Sequence, residues 1–257
     1  MLTDSVNTLI ATGIFKNGVP NTIGRFGWKC QNASCLAFSA DAKINELGQT
    51  NRFFTTDLCP HEGGLEPVNC AARDAAEPPP ITATTLQDAP ANPALPENPD
   101  FNDPVNFNPD EVDRYTVFMQ LNAPPPPVPL TASALRGQQK FAQINCVACH
   151  LPSMRTGASK ISAALSFQNV ALYSDLLLHD MGSLGDGIVQ GAAGATEMRT
   201  APLWGLRGRT TFLHDGRAST ISAAIAAHAG EAAQIAKRFE KLPSADQQDV
   251  LDFLNSI

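Results

Sequence analysis

The chain has 257 residues, with 25 acidic against 18 basic side chains and a formal net charge of −7, which is length enough for one or two domains with a real core. That acidity argues against a nucleic-acid partner, which would call for a basic patch, and favours a protein partner that is basic at its contact. No run reaches the roughly 18 apolar residues of a membrane span.

Residues 1–75 are mixed and glycine-punctuated, and Gly24-Arg-Phe-Gly-Trp-Lys29 is their most distinctive run. The first residues, Met1-Leu-Thr-Asp-Ser-Val-Asn7, have neither the basic n-region nor the apolar h-region of a secretory leader. Cys30 lies close to Cys35, and Cys59 to Cys70. Staples of this kind suit a segment with a poor core in an oxidising compartment, so two disulfides are expected. The pairing 30–35 with 59–70 is the simplest of three, and free buried thiols are the bland alternative. Residues 77–110 are dominated by Pro, Asn, Asp and Ala, cannot fold alone, and read as an extended strap across a folded surface. A short helix is expected over 109–121, with apolar residues at 112, 115, 118, 119 and 121. Pro124 to Pro127 with Pro129 then make a stiff polyproline spacer. Residues 1–130 are thus expected to form a loop-rich, Pro-rich partial domain, and 131–257 a separate, mainly α domain.

The second half centres on Cys146-Val-Ala-Cys149-His150. C-x-x-C-H is the attachment signature of a c-type haem. Two intervening residues set the thiols one helical turn apart, as thioethers to the two vinyl groups require, and the next residue carries an imidazole to the iron. Half of a zinc site and a thioredoxin-like redox pair are the rivals. No cysteine follows Cys149 to complete a zinc site. A redox pair would follow a strand, whereas Thr131–Ile144 carries a cap candidate and helix formers. Gly137, Phe141 and Cys146 also reproduce the spacing of cytochrome c domains, where the glycine lets the first helix approach the last and the aromatic packs on the crossing. One covalent haem c in a cytochrome c-like domain is expected. Its attachment chemistry implies a periplasmic or extracellular location, the leader being absent from this chain.

Residues 151–218 read as mostly loop, rich in glycine and single arginines. Ser219–Gly230 reads as a helix with Ser219 or Thr220 as N-cap, and Ile221, Ile225 and His228 fall at i, i+4 and i+7. A lone histidine on an apolar face is more often core than ligand; beside an iron that needs a sixth partner, the preference reverses. His228 is the candidate, with Met181, Met198 and His179 as competitors. Pro243-Ser244-Ala-Asp-Gln247 reads as a capping box, opening a last helix with Val250, Leu251 and Leu254 on one face. Among Arg199, Arg207 and Arg217, one or two suit bidentate pairing with haem propionates, solvated loop arginines being the alternative. Trp204 reads as packing on the porphyrin edge, with electron relay as the alternative. An iron held by two histidines is coordinatively full and suited to passing single electrons, at a lower potential than a histidine–methionine pair.

Gly24–Lys29, Cys146–His150, Tyr173-Ser-Asp-Leu-Leu-Leu-His-Asp-Met-Gly182, Thr200-Ala-Pro-Leu-Trp-Gly-Leu-Arg207 and Phe212-Leu-His-Asp-Gly-Arg217 together resemble the di-haem oxidoreductase family. That family is related to bacterial di-haem cytochrome c peroxidases and to the enzyme that matures tryptophan tryptophylquinone. The resemblance covers nearly the whole chain. In the related peroxidases the second haem's distal ligand is a methionine fourteen residues after the histidine of an F-H-D-G-like motif; counted from His214, that position is His228. The resemblance further implies that His214 organises the haem edge and that His179 and Met181 anchor a loop. It leaves Trp28 and Lys29 without an assigned role. The family carries two haems, the first attached upstream of the G-R-F-G-W-K run, so residues 1–125 resemble the tail of a first haem domain whose attachment half is missing or supplied by another polypeptide. Relatives also hold calcium between domains through backbone carbonyls at the places of Arg209 and Thr211; the partner ligand is not identifiable, and calcium stays open. The function implied is electron transfer through one bis-histidine haem. The rivals are a peroxidase or oxygenase whose active haem lies in a missing segment or companion chain, and a subunit of a multi-haem electron-transfer hetero-complex.

Overall fold

The computed structural model describes residues 24–49, 51, 53, 111–159, 161–190 and 193–257. The expected strap at 77–110, Cys59, Cys70 and the first residues lie outside them.

The described part of the N-terminal half is less irregular than its composition implies. Helix α1, Cys35–Leu47, starts where the Ser34 hydroxyl accepts from the Ala37 amide at 3.1 Å. Leu36, Ala40 and Ile44 recur every four residues and bury one stripe of it. Helix α2, Glu111–Leu121, meets α1 through Val112, which packs with Leu36 and Ala40. The buried Lys43 pairs with Glu111 across this contact. The expected apolar stripe of α2 is only partly used: Val112 is buried, while Tyr115, Phe118 and Leu121 are exposed.

The polyproline segment is not a free spacer. Val128 donates its amide to the Ser256 carbonyl at 2.9 Å, the Arg207 guanidinium donates to the Pro126 carbonyl, and Pro125 lies against Gly205. It is a strap fixed to the folded second half.

That half is built on a crossing between helix α3, Ala132–Gln143, and the last helix. Thr131 caps α3, accepting from the Ala134 amide at 3.1 Å. Ala134, Gly137 and Phe141 lie along its buried face. A Cβ on Gly137 would stand 1.8 Å from the Asp249 carbonyl oxygen, so the two backbones approach as only glycine permits. The Phe141 ring stands edge-on to Phe253, with centroids 5.4 Å apart, and Val250 and Leu254 complete the core. Arg136 grips Asp249 bidentately at 2.7 Å, and Lys140 reaches Asp246 at 2.9 Å. Exposed ends of such pairs are screened by solvent, so the pairs chiefly fix the register of the two helices.

Two shorter helices precede the last one: α4, Ile221–Ala226, and α5, Ala233–Glu240. Thr220 is the α4 cap, accepting from the Ala223 amide at 3.0 Å. The helix expected to run to Gly230 stops at Ala226. The chain must turn so that Gly230, at φ +54°, presses on the Asp180 carbonyl, where a Cβ would come within 2.1 Å. The last helix, α6, spans Ser244–Leu254, and its capping box does not form. Pro243 occupies the cap position and has no N–H for a glutamine to satisfy. Gln247 instead donates its side-chain amide to the carbonyls of Glu240 and Leu242, at 3.1 and 3.0 Å.

Between α3 and α4 the chain is mostly loop with two small antiparallel ribbons. Strand β1, Met154–Arg155, pairs with β2, Asn169–Val170; β3, Leu178–Asp180, pairs with β4, Glu197–Arg199, with His179 opposite Met198. The segment around Trp28 attaches to β4. The Arg199 amide donates to the Trp28 carbonyl at 2.8 Å, and the Arg199 guanidinium to the Gly27 carbonyl at 2.9 Å. Lys29, 1 % exposed, donates to the carbonyls of Gly194 and Glu197 and pairs with Asp186 at 2.7 Å.

Cys30 and Cys35 are free thiols, so the expected 30–35 bridge is absent. Each has its own neighbours: Cys30 faces the Leu176 carbonyl near Arg199 and Asp175, and Cys35 meets Gln120. Burial pushes both thiols up to about 11. The architecture is mainly α, and among the described residues no helix is long and apolar enough to cross a membrane.

Candidate functional site

Helix α3 ends when Asn145 adopts φ +75°, and a single tight turn, Cys146–Ala148, follows. The His150 amide closes it on the Cys146 carbonyl at 2.9 Å. Cys146, Cys149 and His150 thereby line one cavity of about 210 Å³, whose far wall carries His228 with Ile221 and Ile225 of α4. Phe141, Val250 and Leu254 from the helix crossing form its floor. Burial pushes the Cys146 thiol up to about 12.

A three-residue brace fixes this turn. The Asp175 amide donates to the Cys149 carbonyl at 2.9 Å and the Ser174 amide to the Leu151 carbonyl at 3.0 Å. The Tyr173 carbonyl accepts from His150 Nδ1 at 3.0 Å. Tyr173 does so from a left-handed backbone, φ +51°, which costs a tyrosine on the order of 1–2 kcal/mol. Its buried ring, edge-on to Phe141 and Phe253, holds it there.

His228 lies just past the end of α4 and donates Nδ1–H back to the Ala224 carbonyl at 2.8 Å. Both imidazoles therefore carry their proton on Nδ1 and keep an unprotonated Nε2. Burial pulls the pKa of each down, that of His150 to about 4, so both are neutral near pH 7. Their ring centroids are 6.4 Å apart. Two imidazoles bound to opposite faces of one iron, with iron–nitrogen bonds of about 2.0 Å and about 1.1 Å more to each centroid, would hold their centroids about 6.2 Å apart. The residues present fit an axial pair, with two thiols beside one member of it.

Arg199, Thr200 and His214 line the rim of the same cavity. Trp204 and Arg207 do not: Arg207 is spent on the proline strap, and Arg217 pairs with Asp215. Arg209 reaches the rim in their place. Trp28, which had no assigned role, also lines it, 44 % exposed and edge-on to His214 at 6.2 Å. Only the family motif singled it out, because its contacts join residues far apart in the chain.

Of the competing ligands, Met181 and Met198 line the cavity and stay available. His179 does not. Its Nε2 lies 3.0 Å from Asp175 and its Nδ1 3.0 Å from Glu231. The Asp175 hydrogen bond, foremost, raises its pKa to about 11. Cys149, Asp175 and His179 offer donors within 4.8 Å of one another, the one such cluster among the described residues. An imidazole protonated on both nitrogens has no lone pair for a metal.

No curated protein matches the chain. Among solved structures, Kuenenia stuttgartiensis hydrazine synthase pressurised with 20 bar xenon is similar at 19 % identity and a TM-score of 0.39, over 59 % of this chain and 56 % of that one. The chain thus spans little more than half the length of that protein, and so loose a likeness says nothing of the site. The family described as "Di-haem oxidoreductase, putative peroxidase" matches residues 110–257. Its name carries both the cofactor, haem, and the chemistry, oxidoreduction. Because that match takes in more than half of the sequence, with Cys146, Cys149, His150 and His228 all inside it, the chain belongs to the di-haem oxidoreductase family.

Proposed function

We propose that this chain carries one haem c, which Cys146 and Cys149 would attach and His150 and His228 would hold, and passes single electrons within a di-haem peroxidase-like system. The observation that carries this reading is the 6.4 Å separation of two neutral imidazoles, each with Nδ1 tied to a backbone carbonyl. When bound, the haem supplies a one-electron iron couple, at a potential that a second histidine lowers relative to methionine.

The protein's part is to hold and to exclude. The carbonyls of Tyr173 and Ala224 fix the tautomer and orientation of the two rings. Ile221, Ile225 and Leu254 keep water from their reactive nitrogens. The tight α3–α6 crossing and the Ser174 and Asp175 amides hold the Cys146–His150 turn in place. At the rim, Arg199, Arg209 and His214 are the groups suited to the propionates. In this reading the protein works in the periplasm or outside the cell, and its partner is another haem protein, basic where it docks. Residues 131–257 are, in this reading, the electron-passing unit.

Intact mass and pyridine haemochrome of the purified chain test the proposal. One covalent haem per chain and a low-spin spectrum are expected; colourless protein, or a zinc ion at Cys146–His150, overturns it. The family match favours a second reading, an enzyme whose active haem lies in a companion chain or a segment absent here. Hydrogen-peroxide turnover by the chain joined to that companion, absent from either alone, selects it.

A further inference from the structure

We propose that His179 is a locked cation that sets the reduction potential of the haem seated against Cys149; this rests on the haem reading above. The argument starts from proton count. A neutral imidazole carries one N–H and can satisfy one acceptor. His179 has a carboxylate oxygen 3.0 Å from each nitrogen, Asp175 on one side and Glu231 on the other, so both nitrogens are protonated and the ring is an imidazolium.

Its place is fixed from three directions. Strand β3 carries it, and β4 backs it through the His179–Met198 register. Glu231 is itself held, accepting from the Asp180 amide at 3.2 Å. The ring lines the same cavity as His150 and His228, and its Nδ1 lies 3.8 Å from the Cys149 sulfur. The side chain is 16 % exposed, so solvent screens its charge only in part. Asp175, the residue that supplies one counter-charge, also braces the attachment turn through its amide. Charge control and haem placement therefore share one segment.

The couple concerned is ferric haem plus one electron, supplied by a protein donor, giving ferrous haem. A fixed positive charge beside the ring favours the side that carries the extra electron, and its removal favours the ferric side. His179 acts through the field and the sulfur, and is a positioning residue.

Spectroelectrochemical titration of the haem-loaded full chain tests this. His179→Gln is expected to lower the potential, and His179→Lys, which keeps the charge, to restore it toward the parent value. Glu231→Gln keeps an oxygen that can accept from Nδ1–H while removing a negative charge, so the imidazolium is retained and the potential is expected to rise; it also serves if the His179→Gln variant fails to load haem. Equal potentials throughout, or the glutamine and lysine variants shifting together, overturn the inference and leave the haem reading standing. A colourless parent protein overturns both.

Discussion

Gly137 and Asp249 meet backbone to backbone, with room for a hydrogen and no more: a Cβ on Gly137 would stand 1.8 Å from the Asp249 carbonyl oxygen. Because α3 carries Phe141 and leads directly into the Cys146–His150 turn, this contact positions both cavity-lining elements. Gly137→Ala must push the helices apart, at about 2–3 kcal/mol. Urea unfolding of the haem-free chain should show that loss; an unchanged midpoint would mean that the crossing is looser than described.

His228→Ala should abolish the low-spin spectrum of the haem-loaded protein and give a high-spin one. His228→Met should keep six ligands with an altered spectrum and a higher potential. Persistence of the parental low-spin spectrum in the alanine variant would mean that Met181 or Met198, both on the cavity wall, holds the iron.

Lys29 is buried among two carbonyls and Asp186, whose side chain is 16 % exposed. Lys29→Met leaves that carboxylate and both carbonyls without their cation, at about 2–4 kcal/mol. Faster limited proteolysis near Trp28 should accompany the loss. Wild-type cleavage rates would show that the segment is held by its backbone bonds to Arg199 alone.

The pH dependence of the His179 triad has a definite sign. His179 is raised from its ordinary 6.5 to about 11, so its contribution is complete below 6.5 and lost as pH climbs through 11. Burial pushes Asp175 up, but its hydrogen bonds from His179 and Leu177 outweigh this and leave it lowered; Glu231 is lowered first by its His179 bond. The contribution of these two carboxylates is present above their ordinary range and lost as pH falls through the lowered values. Thermal melting of the parent against His179→Gln should therefore differ most, and by a constant amount, between the ordinary carboxylate range and pH 6.5, narrow steadily above 6.5, and converge near pH 11 and at the acid extreme. A difference that vanishes between pH 6 and 8 would refute the doubly paired imidazolium.

Much of this arrangement is legible in the sequence where spacing is local. The run from Gly137 through Phe141 to His150 specifies helix, close crossing and attachment turn, because each depends on residues within one or two turns. His228 is legible through its distance from Ile221 and Ile225, although the helix ends before reaching it; the pull of Gly230 onto Asp180 is a tertiary demand. The rim is where reading fails. Trp204 and Arg207 look like haem contacts by type and neighbourhood, yet the proline strap claims Arg207 and neither reaches the cavity. Trp28 and His179 gain their places through partners more than fifty residues away. The spacing of Cys30 and Cys35 suggested a staple because short intervals favour closure; the burial of each sulfur in separate surroundings decided otherwise.

The Lys29 anchor has a consequence for anyone shortening the gene. It brings Trp28 in as one panel of the chamber, so a fragment cut at residue 131 would keep both imidazoles yet have a window in its wall. Bulk water entering there would raise the local dielectric and blunt every charge nearby. Such a fragment would be a paler instrument than the whole: coloured, but tuned by solvent.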